Sequence, residues 1–133
     1  MQEVIDFNPY ETSTAQAHQF GYKYTDSWGD IWRYAKVGAA AVTAGYIQVC
    51  PAPKTNHHNI AWSSGGALNA TTVTFTLGNT AATLNEYAEG VLVANDNAPE
   101  GVHYRIKGHP AADSAATLEV TLFRPIVEAF GSG

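Results

Sequence analysis

The stretch Thr71-Thr72-Val73-Thr74-Phe75-Thr76-Leu77 alternates polar and apolar side chains without interruption from residue 72 onward. Successive side chains of a β-strand point to opposite faces of the sheet, so the valine, phenylalanine and leucine share one face and the threonines share the other. β-Branched and aromatic residues also favour strands. The stretch therefore predicts a strand with one buried face and one solvated face.

Similar patterns occur on both sides of this strand. Apolar positions alternate in residues 102–107 and 118–122, and a further β-like run occupies residues 46–50. Residues 91–94 are apolar throughout, which predicts a central strand covered on both faces. Turns rich in Gly, Pro and Asn separate about seven short strands, and no stretch has helical periodicity. We predict a mainly β fold, a small single-domain β-barrel or β-sandwich.

A hairpin is predicted near the start of this β region. Residues 20–25 alternate aromatic with smaller side chains, and a second β-like run covers residues 30–37. Between them, Asp26-Ser27-Trp28-Gly29 has the composition of a turn. The glycine-bounded residues 38–45 are too short for a helix and predict a loop or an irregular strand.

The predicted domain organisation is an extended N-terminal arm over residues 1–19, a β domain over residues 20–126 and a C-terminal tail over residues 127–133. The arm has neither helical nor strand periodicity, so it is either an ordered arm on a neighbouring molecule or a frayed terminus. Its three large apolar side chains, Ile5, Phe7 and Tyr10, favour the ordered arm.

The composition excludes several classes of partner. Charged residues make up 14% of the chain, below the roughly 25% of an ordinary domain. A surface poor in charge is covered by a partner protein at a smaller desolvation cost. The net charge of -5, without a basic cluster, argues against nucleic acid. The absence of a signal peptide or an apolar span argues against a membrane, so we expect a chain made in the cytosol.

The histidines and the cysteine do not form a metal-binding pattern. His57 and His58 are adjacent, so on an extended chain they point to opposite faces. His103 and His109 lack ligand partners at a familiar spacing, which predicts surface or loop histidines. Cys50 stands alone in an apolar stretch, where a buried inert thiol is expected. We expect no metal and no cofactor.

Nothing in the sequence assembles a catalytic set. Residues 63–66, Ser-Ser-Gly-Gly, lack the nucleophile turn of hydrolases and predict a flexible loop. The carboxylate pairs Asp26 with Asp30 and Glu86 with Glu89 flank predicted turns, where acidic residues solvate and cap the backbone. We therefore expect a protein that is not an enzyme.

Aromatic side chains are the strongest candidates for contacts with other molecules. Trp28, Trp32 and Trp62 could line a sugar-binding face, although such residues more often fill a β core and its interfaces. The arm and the hairpin carry most of the large apolar groups. The candidate protein-interaction residues are Ile5, Phe7, Tyr10, Phe20, Tyr22, Tyr24, Trp28, Trp32 and Tyr34.

Five segments carry a resemblance that covers most of the chain. Residues 31–45 (IWRYAKVGAAAVTAG) resemble a segment of small virion proteins of tailed bacteriophages, and residues 12–21 (TSTAQAHQFG) are similar to the polar stretch that precedes their first strand. Residues 86–96 (EYAEGVLVAND) and 101–110 (GVHYRIKGHP) look like later strands of that family, and residues 118–126 (LEVTLFRPI) look like its closing strand. None of these segments encodes a chemical mechanism.

The resemblance implies a capsid decoration, or cement, protein. Such proteins sit on the outer capsid surface and brace contacts between coat subunits, often as trimers. The implied partners are the major capsid protein and neighbouring copies of the chain, and the implied location is the virion after synthesis in the bacterial cytoplasm. The relatives continue past the closing strand, whereas this chain runs into Gly131-Ser132-Gly133. Either a final strand pair is missing or the variant is compact.

Two alternative functions remain open at this stage. A receptor- or glycan-binding module of a tail fibre would use the tryptophans as a stacking platform. A self-assembling fibre subunit would use the arm to complete the sheet of a neighbour. The number of copies on a particle distinguishes a decoration protein from a fibre module, and filaments of the purified protein would indicate the fibre subunit.

Overall fold

The computed structural model describes residues 8–38, 41–43, 45–47, 49, 52–95 and 100–130. Within these ranges the protein is mainly β and contains no helix, hence none that could cross a membrane. Internal contacts divide the chain into two compact units, Met1–Val49 and Cys50–Gly133. We call them the hairpin unit and the sheet unit. The predicted residues Ile5, Phe7 and Cys50 lie outside the described ranges.

The hairpin unit contains strands β1, Lys23–Thr25, and β2, Ile31–Arg33, which pair antiparallel with Tyr24 opposite Trp32. The predicted hairpin is thus confirmed, although both strands are shorter than predicted. The turn between them is fixed by Asp26, whose Oδ1 accepts the backbone N–H groups of Trp28 and Asp30, both at 2.9 Å. Short polar side chains commonly stabilise turns in this way.

The sheet unit is built on five antiparallel strands in the order β3-β4-β7-β6-β5. Their bounds are β3 Trp62–Ser64, β4 Thr72–Thr76, β5 Val91–Val93, β6 His103–Gly108 and β7 Thr117–Leu122. The alternating stretches that predicted β4, β6 and β7 are confirmed. In the centre of the sheet, Val73 lies opposite Val120 and Phe75 opposite Leu118.

One face of this sheet supports the core. The buried apolar side chains are Val73, Leu77, Ala82, Tyr104, Ile106, Leu118, Val120, Leu122 and Ile126. Tyr104 is fully buried, and its ring lies 6.0 Å from that of Phe130. Phe130 belongs to the predicted tail, and its backbone N–H donates to Gly66 O at 2.9 Å. The predicted boundaries at residues 19 and 126 stay predictions.

The prediction that residues 91–94 form a central strand is wrong. Strand β5 lies at an edge of the sheet and pairs only with β6 among the described residues. Val91 and Val93 are more than half exposed, whereas Leu92 packs against the core. An uninterrupted apolar run is compatible with an edge strand because the position of a strand depends on the sheet order rather than on its own sequence.

Three further predictions need correction. Residues 63–66 were predicted as a flexible loop, but Ser63 and Ser64 belong to β3, since β4 provides a hydrogen-bonding partner. The strand predicted over residues 46–50 is wrong at residues 46, 47 and 49, which are exposed and in no strand. The sheet also does not close into a barrel within the described ranges, because its edge strands β3 and β5 do not pair.

Candidate interaction surfaces

The aromatic residues predicted to mediate contacts gather on one face of the hairpin. Tyr24 and Trp32 are direct cross-strand neighbours, and the backbone N–H of Tyr34 donates to Tyr22 O at 2.9 Å just beyond the strands. Side chains two residues apart on a strand share a face, so these four rings lie on the same side. We call this side the aromatic face.

Residues of the predicted arm, and Phe20 directly after it, pack on the aromatic face. The Tyr10 ring meets the Trp32 ring edge-on at 5.3 Å, and the Phe20 ring stacks on the Tyr34 ring at 6.0 Å. The Ala17 N–H donates to the Tyr34 hydroxyl oxygen at 3.0 Å. Ring pairs of this kind contribute about 0.5–1.5 kcal/mol beyond the burial of their area. Most of the predicted contact residues therefore hold the hairpin unit together.

Trp28 differs from the other aromatic residues because 89% of its surface is exposed. It lies in the turn that Asp26 fixes, and Asp26 Oδ2 also accepts the Trp32 indole N–H at 3.1 Å. That hydrogen bond, followed by those from the backbone of the turn, lowers the pKa of the Asp26 carboxyl. The charged carboxylate thus holds the turn in a shape that presents the Trp28 indole to solvent.

The opposite face of the hairpin combines cationic and apolar groups. Lys23 lies directly opposite Arg33, and Thr25 lies opposite Ile31, which is 59% exposed. Like charges placed directly across a strand pair destabilise it, and a negatively charged partner would relieve this repulsion. We call these four residues, together with the exposed Trp28 of the turn that joins the two strands, the docking face. Its chemistry suits a partner surface that offers carboxylates beside an apolar depression.

An open cavity of about 340 Å³ lies in the sheet unit, within the size range of ligand pockets. The apolar residues that line it are Ile60, Phe75, Leu77, Val91, Leu92, Val93, Ile106, Leu118 and Val120. Polar side chains at its rim include His57, Asn59, Tyr87 and Asn95. The amide of Asn95 donates to Asn59 Oδ1 at 2.6 Å, which ties two parts of the rim together.

His57 and Tyr87 form a closed hydrogen-bonded pair at this rim. Thr80 O lies 2.8 Å from His57 Nε2 and can only accept, so Nε2 carries the ring hydrogen. His57 Nδ1 therefore accepts the hydrogen bond from the Tyr87 hydroxyl. Burial, and secondarily the charge of Glu86, raise the pKa of Tyr87, which keeps it a neutral phenol. Both ring nitrogens of His57 are engaged, so the pair is a structural link.

His109 lies in the loop that follows β6, which confirms the loop alternative of the prediction, but it is buried and not at the surface. Only 4% of this residue is exposed, and its Nε2 accepts the backbone N–H of Tyr87 at 3.0 Å. Its Nδ1 is 2.8 Å from Pro110 O, to which it donates. The sequence around His109 does not predict this burial, because the backbone N–H that bonds to its ring belongs to Tyr87, 22 residues away.

Two of the four acidic residues that were predicted to cap turns, Asp26 and Glu86, do so. Asp26 caps the hairpin turn, and Glu86 Oε2 accepts the Thr83 N–H at 2.9 Å. Glu86 also forms an ion pair with Lys54 at 2.7 Å. Across the part of the chain that the structure describes, no three His, Cys, Asp or Glu side chains are grouped so that they could hold a metal ion.

Sequence reasoning missed two surfaces. The first is the docking face, of which only Trp28 was predicted. Its other residues share a face because of the cross-strand register that places Lys23 opposite Arg33. The second is the exposed edge at Val91 and Val93, where the apolar run was interpreted as a buried strand. Trp62, considered above for a sugar platform, is half-buried and packs near Phe130 at 6.2 Å between ring centres.

Comparison of the chain with protein-family models, with curated proteins and with solved structures finds no match.

Proposed function

We propose that the chain is a structural virion protein that decorates the outer surface of a tailed-phage capsid and braces contacts between coat subunits. The observation that carries the proposal is the docking face: the Trp28 indole is 89% exposed in a fixed turn, and the two strands joined by that turn carry the exposed Ile31 and the cations Lys23 and Arg33. Tryptophan and arginine are the residues most enriched among those that dominate binding energy at protein interfaces.

The high exposure of side chains in the hairpin unit supports a role in binding. None of its described residues is buried, although it carries most of the aromatic side chains of the sequence. Large apolar groups that a chain leaves exposed next to one another indicate a surface for a partner. The low overall charge also reduces the desolvation cost of covering that surface.

The proposed partner is a coat-subunit surface with acidic and apolar groups. Lys23 and Arg33 would each face a carboxylate, and the Trp28 indole and the aliphatic side chain of Ile31 would enter apolar depressions. Binding only to assembled coat protein stabilises the shell by mass action, because the free energy of the decorated shell falls relative to dissociated subunits. This role needs no catalysis and no cofactor.

The proposal extends to the organisation of the particle. The arm over residues 1–19 contacts a neighbouring subunit in addition to its own hairpin, the β domain adopts a sandwich-like arrangement, and copies of the chain meet as trimers on the capsid. The chain is synthesised in the bacterial cytoplasm and joins the virion there. Cryo-electron microscopy of decorated particles tests the arm, the oligomer and the symmetry site together.

Co-sedimentation with shells assembled from the coat protein of the same genome tests the docking face. Trp28→Ala should weaken binding about 30-fold, which corresponds to the roughly 2 kcal/mol of a dominant interface residue. Leu84→Ala is the matched control, since Leu84 is 68% exposed on the sheet unit and should leave binding unchanged. Equal binding of both variants would contradict the proposal.

Deletion of residues 1–19 tests the role of the arm in shell binding. We expect the deletion to abolish shell binding while the sheet unit stays folded. The deletion also removes the contacts that Tyr10, Ala17 and His18 make with the aromatic face. Replacing residues 1–7 alone keeps those contacts, so it separates a direct role of the arm from support of the hairpin. Full shell occupancy after deletion of residues 1–19 would contradict the role of the arm.

A further inference from the structure

The two edges of the five-stranded sheet differ in how well they are protected against another strand. At the β3 edge, the register with β4 shifts between Trp62 and Ser64, and Gly65 follows with a positive φ of 86°. Such irregularities interrupt the row of backbone groups that a second strand would need. The β5 edge keeps a regular register over Val91–Val93, and these residues include no proline or charge.

The pairing of β6 shows which backbone groups of β5 face outward. Arg105 O accepts the N–H of Phe123 at 3.0 Å, and His103 O accepts from the Arg124 guanidinium at 2.8 Å. Both carbonyls are therefore turned away from β5. Val91 and Val93, which lie opposite Arg105 and His103, occupy the positions that do not hydrogen-bond to β6.

Residues at such positions direct both backbone groups to the other side of their strand. The N–H and C=O groups of Val91 and Val93 thus point to the open edge, and no described residue bonds to them there. The side chains of the same residues are 57% and 54% exposed. Leu92 points to the opposite face and packs against the core, and all three residues of β5 line the open cavity. An uncovered, regular and apolar edge of this kind is a template for strand addition.

We propose that β5 pairs antiparallel with β5 of a second copy of this chain, about a two-fold axis at Leu92. In this register, Val91 lies opposite Val93 of the second copy, and the outward backbone groups form about four hydrogen bonds. The edge is self-complementary, because both copies present the same donors and acceptors at the same spacing. One continuous sheet then runs through both molecules.

Side chains on both faces agree with this pairing. On one face, Val91 and Val93 of the two copies form a cluster of β-branched side chains, which pack well across strands. On the other face, the two Leu92 side chains lie next to each other at the mouths of the cavities. The paired segment Val91–Val93 contains no charged residue, so no like charges meet within it.

The inference rests on the proposed function in one respect, that copies of the chain meet on a shell. An edge contact of this size is well below the roughly 1,200 Å² of a stable interface, so we expect weak, concentration-dependent association in solution. A shell raises the local concentration of neighbouring copies. The test is made without shells and with the docking face intact, so the two proposals can fail separately.

Sedimentation velocity over a concentration series tests the proposed register of the β5–β5 pair. Charged residues are introduced at positions 91 and 93, and their effect on dimerisation is measured. Val91→Lys/Val93→Lys places lysines opposite lysines and should weaken dimerisation about 100-fold or more. Val91→Lys/Val93→Glu places each lysine opposite a glutamate of the second copy and should dimerise at least as well as the unaltered chain. The same pair in a parallel arrangement would oppose like charges, so this variant also distinguishes the two directions.

Thr76→Lys/Thr117→Lys is the matched control. It adds two lysines to an exposed cross-strand pair on the same sheet, away from the β5 edge, and should dimerise like the unaltered chain. Circular dichroism verifies that each variant is folded. An unaltered chain that stays monomeric at millimolar concentration, undiminished dimerisation of Val91→Lys/Val93→Lys, or failure of Val91→Lys/Val93→Glu to dimerise would each overturn the inference.

Discussion

The hairpin unit and the sheet unit use aromatic side chains in opposite ways. In the sheet unit, Tyr104 is fully buried, its hydroxyl accepts the Val127 N–H at 3.3 Å, and Arg124 stacks over its ring at 5.6 Å. In the hairpin unit, Trp32 is half-buried among other rings and Trp28 is 89% exposed. Stability is therefore concentrated in the sheet unit, and the hairpin unit leaves one of its two tryptophan side chains available for contacts.

Removal of one aromatic ring from each unit should produce the largest difference in the free energy of unfolding. Tyr104→Ala empties a fully buried site and should lower the free energy of unfolding by about 3–5 kcal/mol. Trp28→Ala removes a ring that solvent already surrounds and should change it by less than about 0.5 kcal/mol. Urea denaturation followed by circular dichroism measures both.

A milder variant covers the case in which Tyr104→Ala does not fold. Ile126→Val trims one methylene from another fully buried side chain and should cost about 0.5–1.5 kcal/mol. If Trp28→Ala destabilised the chain as much as Ile126→Val, the contrast between the units would be wrong.

Two glycines with positive φ sharpen the same contrast. A Cβ at Gly65, where φ is 86°, would lie 2.7 Å from Thr72 O. A Cβ at Gly29, where φ is 89°, would meet nothing within 4 Å. We expect Gly65→Ala to cost about 2–4 kcal/mol, from backbone strain and steric overlap together, and Gly29→Ala about 1–2 kcal/mol from strain alone. If urea denaturation gave the same loss of unfolding free energy for Gly65→Ala and Gly29→Ala, the steric overlap at Gly65 would not contribute.

The Lys54 ion pair in the sheet unit predicts a smaller, pH-dependent effect. The hydrogen bond from Lys54, followed by the Thr83 N–H, lowers the pKa of Glu86 below its ordinary 4.5. The resulting stabilisation is present above pH 4.5 and is lost as the pH falls through the lowered pKa. Glu86→Gln should cost about 0.5–1 kcal/mol at neutral pH.

The cost should vanish in acid, where both chains carry a neutral side chain at this position. Denaturation of the two chains across the acid range measures the difference. A difference that stays constant through the acid range would mean that the ion pair does not contribute.

The smallest effect on global stability is expected at Asp26 in the hairpin unit. The Trp32 indole hydrogen bond lowers its pKa below the ordinary 3.8, so the turn loses its charged cap only as the pH falls through that lower value. The NMR resonance of the Trp32 indole N–H should therefore titrate with a midpoint below 3.8. The same resonance should not show this titration in Asp26→Asn. A midpoint at or above the ordinary value would contradict the local role.

Local patterns in the sequence were sufficient for the strands that alternate regularly. Residues 72–77 and 117–122 have one buried face each, and their side-chain period alone identifies them. The hairpin was equally accessible, because Asp26 and Gly29 supply a turn between two β-like runs. In these segments, neighbouring residues contain the information that determines the structure.

Non-local pairing explains the failures. Whether residues 91–93 occupy the centre or the edge of the sheet depends on the order of the other strands. Residues 62–64 become a strand because β4 offers a partner edge, despite their Ser-Gly composition. His109 is buried by residues of another segment, Asn85 and Tyr87. The docking face likewise depends on register, so only its tryptophan was identified in advance.

The most direct test is the affinity of Trp28→Ala for capsids, measured from a co-sedimentation binding curve that reaches saturation. It asks whether the hairpin unit serves binding while the sheet unit serves stability. We expect an affinity about 30-fold weaker than that of the unaltered chain, together with an unchanged midpoint of unfolding. Unchanged affinity, or a loss of affinity that occurs only with a lowered unfolding midpoint, would contradict it.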